Sequence, residues 1–308
     1  MKSLCIGSRG SALALVQTQQ IQTELERIFS GIQITVQVIK TTGDRNLESS
    51  FAAIGSKGVF VKELDEALLS KKIDFAVHSL KDLPSDMARG VIVAAVTRCL
   101  DPRDALVSRN RSSFSKLPSG AIVGTSSVRR QALIRKYRPD LKVEMLRGNL
   151  DTRLRKLDEG KYDAIVIASA GLKRLGFDHR ATERLDPFQF IPAIGQGMLA
   201  ITCREGDKGT LEALQKIDDP MSHRLADIQR RFMNRIGGGC QIPLGCYGEE
   251  RKGKLRLVAF LGSVDGTKEV RLEMEGSMAE GDQLADRLAE EILDQGGREI
   301  MNTLRPPS

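Results

Sequence analysis

The sequence predicts an α/β protein built as two similar α/β lobes followed by a small α+β domain. Three observations carry that prediction. Short apolar segments alternate with helix-period segments through the first and middle thirds of the chain, the pattern of βα units around a mostly parallel sheet. One stretch occurs twice in near copy: "LDEALLSKKIDFAVHS" and "RLRKLDEGKYDAIVIAS" each join a helix end, lysine, an aspartate (Asp74, Asp163) and an apolar strand. The C-terminal part then changes character, to two strands and a helix. The expected division is 1–97 with 195–216 for the first lobe, 98–194 for the second and 217–308 for the last domain.

In order along the chain, "SLCIG" reads as a strand, Ala12 to Ile28 as a helix, "IQITVQVIK" as a strand and Val59 to Leu69 as a helix. Phe60, Leu64, Ala67 and Leu68 share one face of that second helix. "KKIDFAVHS" has the continuous apolar centre of a strand buried on both sides, and it breaks at "LKDLP". "CLDPRDALVS" and "PFQFIPAIGQGMLAI" carry the proline and glycine of crossing points between lobes and are read as hinges. "KLRLVAFLGSVDGTKEVRLEME" is two strands joined across an Asp-Gly turn. A helix carrying Leu284, Leu288 and Ile292 follows and stops near Gly296 and Gly297.

Composition narrows the functional classes. Hydrophobic residues make up 41% of the 308, enough for real cores without staples. The five cysteines form no CxxC and the start "MKSLCIGSRG" has no signal-peptide core, so a cytoplasmic protein is expected. No apolar run approaches the ~20 residues of a bilayer span, and the three histidines lie outside any zinc spacing, so neither a membrane nor a metal role is expected. The net charge of +7 is concentrated: Gly124 to Lys161 holds eleven Lys/Arg against five acids. Such an excess marks either a solvated basic face or an acidic partner. Aromatic residues at 4% and the absence of tryptophan leave little for base stacking, which argues against nucleic acid.

Ligands of open α/β sheets bind at strand-to-helix turns, and several turns here are unusually polar. "GSRGS" places Arg9 and Ser11 before a helix whose free N–H groups favour an anion, although Ser11 could serve only as an N-cap. "GSKGVF" offers Lys57 without the spacing of a P-loop. "GTSSVRRQAL" caps a helix with Thr125, Ser126 and Ser127, then puts Arg129 and Arg130 in its first turn, against the helix dipole. A bound anion would resolve that opposition. "RGNLDTR" adds Arg147 and Arg153, and "GLKRLG" adds Lys173 and Arg174; guanidinium forks grip carboxylates two bonds at a time. "HSLKDLP" sets Lys81 and Asp82 directly after a buried strand, where Asp82 is either a turn former or an acid that stabilises a cation or moves a proton. "RIGGGCQIPLG" places Cys240 after Gly237, Gly238 and Gly239, backbone too bare for a packing surface, so the thiol reads as presented to something.

These segments, with "TTGDR", "LRGNLDTRL", "YDAIVIASAGLKRLG" and "IPAIGQG", stand in the order found in one family, and the chain resembles hydroxymethylbilane synthases, also called porphobilinogen deaminases. The resemblance implies two lobes like those of periplasmic binding proteins with a cleft between them, and a third domain bearing the anchor cysteine. It implies stepwise joining of four porphobilinogen molecules with loss of ammonia, on a dipyrromethane primer held by a thioether to Cys240, and hydrolytic release of hydroxymethylbilane. By the same resemblance Asp82 is the catalytic residue, shielding the azafulvenium cation left by the departing amine. Ser79, Lys81, Thr125, Ser127, Arg129, Arg130 and Asp44 would hold the primer. Arg9, Ser11, Lys57, Arg147, Arg153, Arg174 and Gln196 would contact substrate or chain carboxylates. Cys246 matches no role in the family and is expected to be structural. A monomer is implied. The competing reading is a non-catalytic two-lobe binding protein for an acidic small molecule, which leaves Asp82 and Cys240 without work.

Overall fold

The computed structural model describes residues 3–41, 61–239 and 241–304. Three of the expected site residues, Asp44, Lys57 and Cys240, lie outside them. In chain order the strands are β1 (Ser3–Ser8), β2 (Gln33–Val38), β3 (Phe75–Ser79), β4 (Val91–Val96), β5 (Asp104–Ser108), β6 (Ile122–Gly124), β7 (Lys142–Glu144), β8 (Ala164–Ala168), β9 (Glu183–Arg184), β10 (Leu199–Arg204), β11 (Leu244–Arg251), β12 (Lys254–Gly262) and β13 (Glu269–Gly276). The helices are α1 (Ala12–Ile28), α2 (Lys62–Leu69), α3 (Val128–Tyr137), α4 (Leu150–Asp158), α5 (Ser169–Arg174), α6 (Lys208–Leu214), α7 (Pro220–Ile236), α8 (Gly281–Ile292) and α9 (Arg298–Leu304). The chain divides into two compact units, Met1–Leu100 with Gly197–Arg224, and Asp101–Gln196 with Leu225–Ser308.

The first unit is built on a five-stranded sheet in the order β2-β1-β3-β10-β4. α1 begins where Ser11 accepts the Ala14 N–H at 3.2 Å, and it turns Ile21 and Leu25 into a core with Phe75 and Val77. Ala76, between those two on β3, faces the opposite core, made with Leu64, Leu68 and Ile73. A strand covered on both faces must be apolar throughout, as "DFAVHS" is.

The second unit repeats the arrangement, with its five-stranded sheet in the order β7-β6-β8-β5-β9. The repeated sequence becomes a repeated device. The Asp74 carboxylate accepts the Cys5 N–H at 2.8 Å, and the Asp74 N–H donates to the Cys5 carbonyl at 2.8 Å. Asp163 makes the same two bonds to Ile122, at 2.8 and 2.9 Å. Each aspartate thus fixes its strand against the parallel neighbour, β3 on β1 and β8 on β6.

The expectation of mostly parallel sheets needs correction. β1 pairs in parallel with β2 and β3, and β6 with β7 and β8, but β10 runs antiparallel to β3 and β4, and β5 to β8 and β9. β5 and β10 are the first strands after the first two passages of the chain from one unit to the other. A strand entering from outside has no βαβ crossover to set its direction, so antiparallel pairing is open to it.

The C-terminal sheet is β11-β12-β13, antiparallel throughout. The Asp265-Gly266 turn lies between β12 and β13 as expected, with Gly266 at φ +75°. β11 was not foreseen; it joins β12 through Lys252 and Gly253 at φ +55° and +77°, the two positive values that a tight hairpin requires. Leu284, Leu288 and Ile292 are buried on α8, and the chain kinks at Gly296, φ +115°. Val258 and Phe260 of β12 enter the same core as Leu106, Val123, Leu133 and Val166, so this sheet and the second lobe share apolar packing.

That sharing makes Phe260, 1% exposed, a sensitive position. Phe260→Ala is expected to lower the unfolding free energy by about 3–5 kcal/mol, read from urea unfolding followed by circular dichroism.

Candidate active site

In the first unit the carboxyl ends of two neighbouring parallel strands, β1 and β3, bring five expected site residues to one sheet edge. Beyond β1 come Arg9, half-buried, and Ser11, the N-cap of α1. Beneath them Ser8 is fully buried, donating to the Arg9 carbonyl at 3.0 Å and accepting from the Thr18 hydroxyl at 2.8 Å. At the end of β3 the Ser79 hydroxyl accepts from Gln17 Nε2 at 2.9 Å, which ties this edge to α1. A single 3-10 turn, Leu80–Asp82, follows.

The reason Asp82 stands where it does lies in its neighbours. Leu80 and Leu83 are 1% and 3% exposed, and the Leu83 N–H closes the turn on the Leu80 carbonyl at 3.1 Å. Two buried leucines three residues apart leave the residues between them, Lys81 and Asp82, half-buried at the surface of the turn. His78, on β3, is buried and has its Nε2 3.0 Å from the Thr202 hydroxyl. Burial, aided by the charge of Arg9, pushes its pKa down to about 4, so the imidazole is neutral and adds no charge.

In the second unit the corresponding edge carries Thr125 and Ser127. Thr125 is fully buried; its N–H donates to the Glu144 carbonyl at 3.0 Å and its hydroxyl accepts the Ser127 N–H at 3.2 Å. Ser127 caps α3 by accepting the Arg130 N–H at 3.5 Å. Arg153 on α4 donates through Nε to the Gly148 carbonyl at 2.7 Å and through Nη2 to the Ser126 hydroxyl at 3.3 Å, so it joins this edge. Lys156 Nζ donates to the Arg147 carbonyl at 3.1 Å and fixes the turn that bears Arg147. Arg174 ends α5, the helix that follows β8, and is half-buried.

Arg129 and Arg130 do not project outward from α3. They are 4% and 5% exposed and converge on Asp104, which is fully buried. Asp104 Oδ1 accepts from Arg129 Nη2 at 3.1 Å and from Arg130 Nε and Nη2 at 3.0 and 2.8 Å, and Arg129 Nη1 lies 2.8 Å from Oδ2. Gln196 Nε2 donates to the same Oδ1 at 2.8 Å and to the Pro102 carbonyl at 2.7 Å, while its Oε1 accepts from Arg130 Nη2 at 3.3 Å. The anion that these helix-start arginines face is therefore supplied by the chain itself. Burial alone would raise the Asp104 pKa; the two guanidiniums more than reverse this and hold it below the usual carboxylate range. The sequence offered Asp104 only as part of a crossing segment, and the one local sign of it was a lone carboxylate heading the apolar run "DALVS".

The glycines before Cys240 have separate duties. α7 ends in a Schellman arrangement: Gly237, at φ +72°, donates to the Asn234 carbonyl at 3.1 Å and Gly238 to the Met233 carbonyl at 3.2 Å. A Cβ on Gly238 would lie 2.7 Å from the Leu244 side chain, whereas one on Gly239 would meet nothing within 4 Å. Two of the three thus stop and seat a helix, and one is open. Cys246 is fully buried in β11 and its thiol pKa is pushed up by burial, the state of a packing residue. Among the described residues no group of three His, Cys, Asp or Glu could hold a metal ion, and no helix is long and apolar enough to cross a membrane.

Residues 4–212 match the family model described as porphobilinogen deaminase, dipyromethane cofactor binding domain, and residues 225–294 match porphobilinogen deaminase, C-terminal domain. The chain is 45% identical over 300 residues to the porphobilinogen deaminase of Pelobacter propionicus, covering 97% of this chain and 96% of that one. It is 46% identical over 299 residues to the porphobilinogen deaminase of Roseiflexus castenholzii, covering 97% and 98%.

The depressed pKa of Asp104 has a thermodynamic consequence. Its folded value lies below the unfolded value of about 3.9, so its stabilisation is complete above about pH 5 and is lost as pH falls toward the folded value. Asp104→Asn is expected to cost about 3–5 kcal/mol at pH 7 and to flatten the acid limb of stability against pH, measured by urea titrations from pH 7 to pH 3.

Proposed function

The chain belongs to the porphobilinogen deaminase family, and we infer from that membership and from the chemistry of its strand-end turns how it acts. It is a transferase, a hydroxymethylbilane synthase of tetrapyrrole biosynthesis. It joins four porphobilinogen molecules head to tail, releases ammonia at each joining and frees the linear product by hydrolysis. The observation that carries the assignment of roles is the turn Leu80–Asp82, which holds a carboxylate at the sheet edge between two buried leucines.

Asp82 is the catalytic residue. Its carboxylate stabilises the positive charge that develops as the amine departs, and it takes up the proton displaced from the pyrrole being joined. The leucine anchors hold that charge in place before the reaction, so little reorganisation is needed as the cation forms. Each porphobilinogen ring carries an acetate and a propionate, and the basic side chains answer them. Arg9, Ser11 and Lys57 receive carboxylates in the first lobe, Arg147, Arg153 and Arg174 do so in the second, and Gln196 does so on the crossing segment.

The donor set fits a dipyrromethane primer, since a hydroxyl-capped helix start and a buried arginine pair that outnumbers its own carboxylate suit a group bearing several carboxylates. Ser79, Lys81, Asp44, Thr125, Ser127, Arg129 and Arg130 would hold it, and the Cys240 thiol would attach it. When bound, the primer supplies the fixed pyrrole end to which substrate is joined. The three-part division into 1–97 with 195–216, 98–194 and 217–308 places that thiol in the last domain. The protein works as a cytoplasmic monomer, without metal or nucleic acid, a reading in keeping with free thiols at Cys5, Cys99, Cys203 and Cys246.

Two measurements test these assignments. Asp82→Asn should lower steady-state turnover by about a hundredfold or more while leaving the melting temperature unchanged; near-normal turnover would remove Asp82 from its role. The intact mass of the denatured chain should exceed that of the bare sequence by two linked pyrrole units, and Cys240→Ser should abolish the excess.

A further inference from the structure

The buried charges of the second unit do not cancel. Among the described residues, its buried side chains bearing formal charge are Asp104, Arg129 and Arg130, one carboxylate against two guanidiniums. A buried cation without an anion is expensive, so the cluster has a reason to accept one more carboxylate.

The guanidiniums are also held by groups of the chain itself. Of the five N–H groups on an arginine side chain, Arg130 directs four at the chain: two at Asp104, one at Gln196 and one, from Nη1, at the Val166 carbonyl 3.2 Å away. Arg129 Nη1 donates to the Ile191 carbonyl at 2.7 Å. Asp104 is itself set in the sheet, as the first residue of β5, paired with Ala168 and accepting the Leu185 N–H on its carbonyl at 2.9 Å. Gln196 adds a second clamp through Pro102. The orientation of both arginines is therefore decided by strands and by a crossing segment.

We propose that Asp104 is a positioning residue for primer acquisition: it holds Arg129 and Arg130 in receiving orientation in the empty protein and leaves one positive charge for a carboxylate of the incoming pyrrole pair. This rests on the function proposed above. Orientation fixed in advance spares the ligand the work of arranging its own site. A purely electrostatic role would predict the reverse effect of neutralising Asp104, since removing a negative charge would draw carboxylates more strongly.

The test is the fraction of purified chains that carry the two-pyrrole mass, read by intact mass spectrometry beside the melting temperature. If the wild-type chain lacks that mass even after incubation with porphobilinogen, the functional reading itself fails. If the wild type carries it, Asp104→Asn should reduce the fraction by about tenfold or more. In Asp104→Asn/Arg130→Gln the net charge of the cluster returns to +1, and the primer fraction should stay low even where the melting temperature recovers. A wild-type primer fraction in either variant overturns the proposal. A measurement independent of their folding uses Cys240→Ser with 15N-labelled arginine: the Nε–H of Arg130 should be protected from exchange although no primer can be attached. Rapid exchange there would show that the ligand orders the arginines, and would overturn the proposal as well.

Discussion

Four hydrogen bonds converge on a single oxygen, Oδ1 of Asp104, and much of the second lobe is arranged around them. They join the start of β5, the first turn of α3 and the segment by which the chain leaves the lobe at Gln196. Buried ion clusters seldom add much net stability over apolar packing, because desolvation offsets the attraction; what they impose is a unique arrangement. Here the arrangement imposed is that of a helix start whose side chains would otherwise repel one another. The cluster is thus at once a structural joint and a concentration of positive charge.

The opposite lobe solves a different problem with different means. Its Leu80–Asp82 turn sets a carboxylate at the end of β3. It does so by packing rather than by pairing: Leu80 and Leu83 are buried, Gln17 secures Ser79, and the neutral His78 is buried against Thr202. The buried arginines of one lobe are therefore positioned by an ion cluster, and the Asp82 turn of the other by apolar anchors.

What could be read from the sequence follows from how local the cause was. α1 spans the residues expected from its apolar period, because its cap Ser11 stands directly before it and the buried Ile21 and Leu25 lie within it. The Asp-Gly turn and the face of α8 were legible for the same reason. The directions of β5 and β10 were not, since they depend on where the chain re-enters a lobe and not on composition. β11 escaped because glycines interrupt its alternation. The arginines of α3 were recognised as needing an anion, but the anion lay 25 and 26 residues away in the chain and met them only on folding. For Asp82 the choice between turn former and acid could not be made from the segment alone, because the burial that projects it is tertiary.

Asp74 and Asp163 close the same pair of backbone bonds at the same place in two sheets of the same strand order. Two frames closed by the same device give a single chain two scaffolds of one kind. A lineage with two frames need not build opposed chemistries on one. The Leu80–Asp82 turn and α5 follow equivalent strands, β3 and β8, yet only the first offers an aspartate, while the second ends in Lys173 and Arg174. Equivalent turns of the two frames thus carry side chains of opposite charge, and both frames belong to one chain that is expressed and folded as a unit.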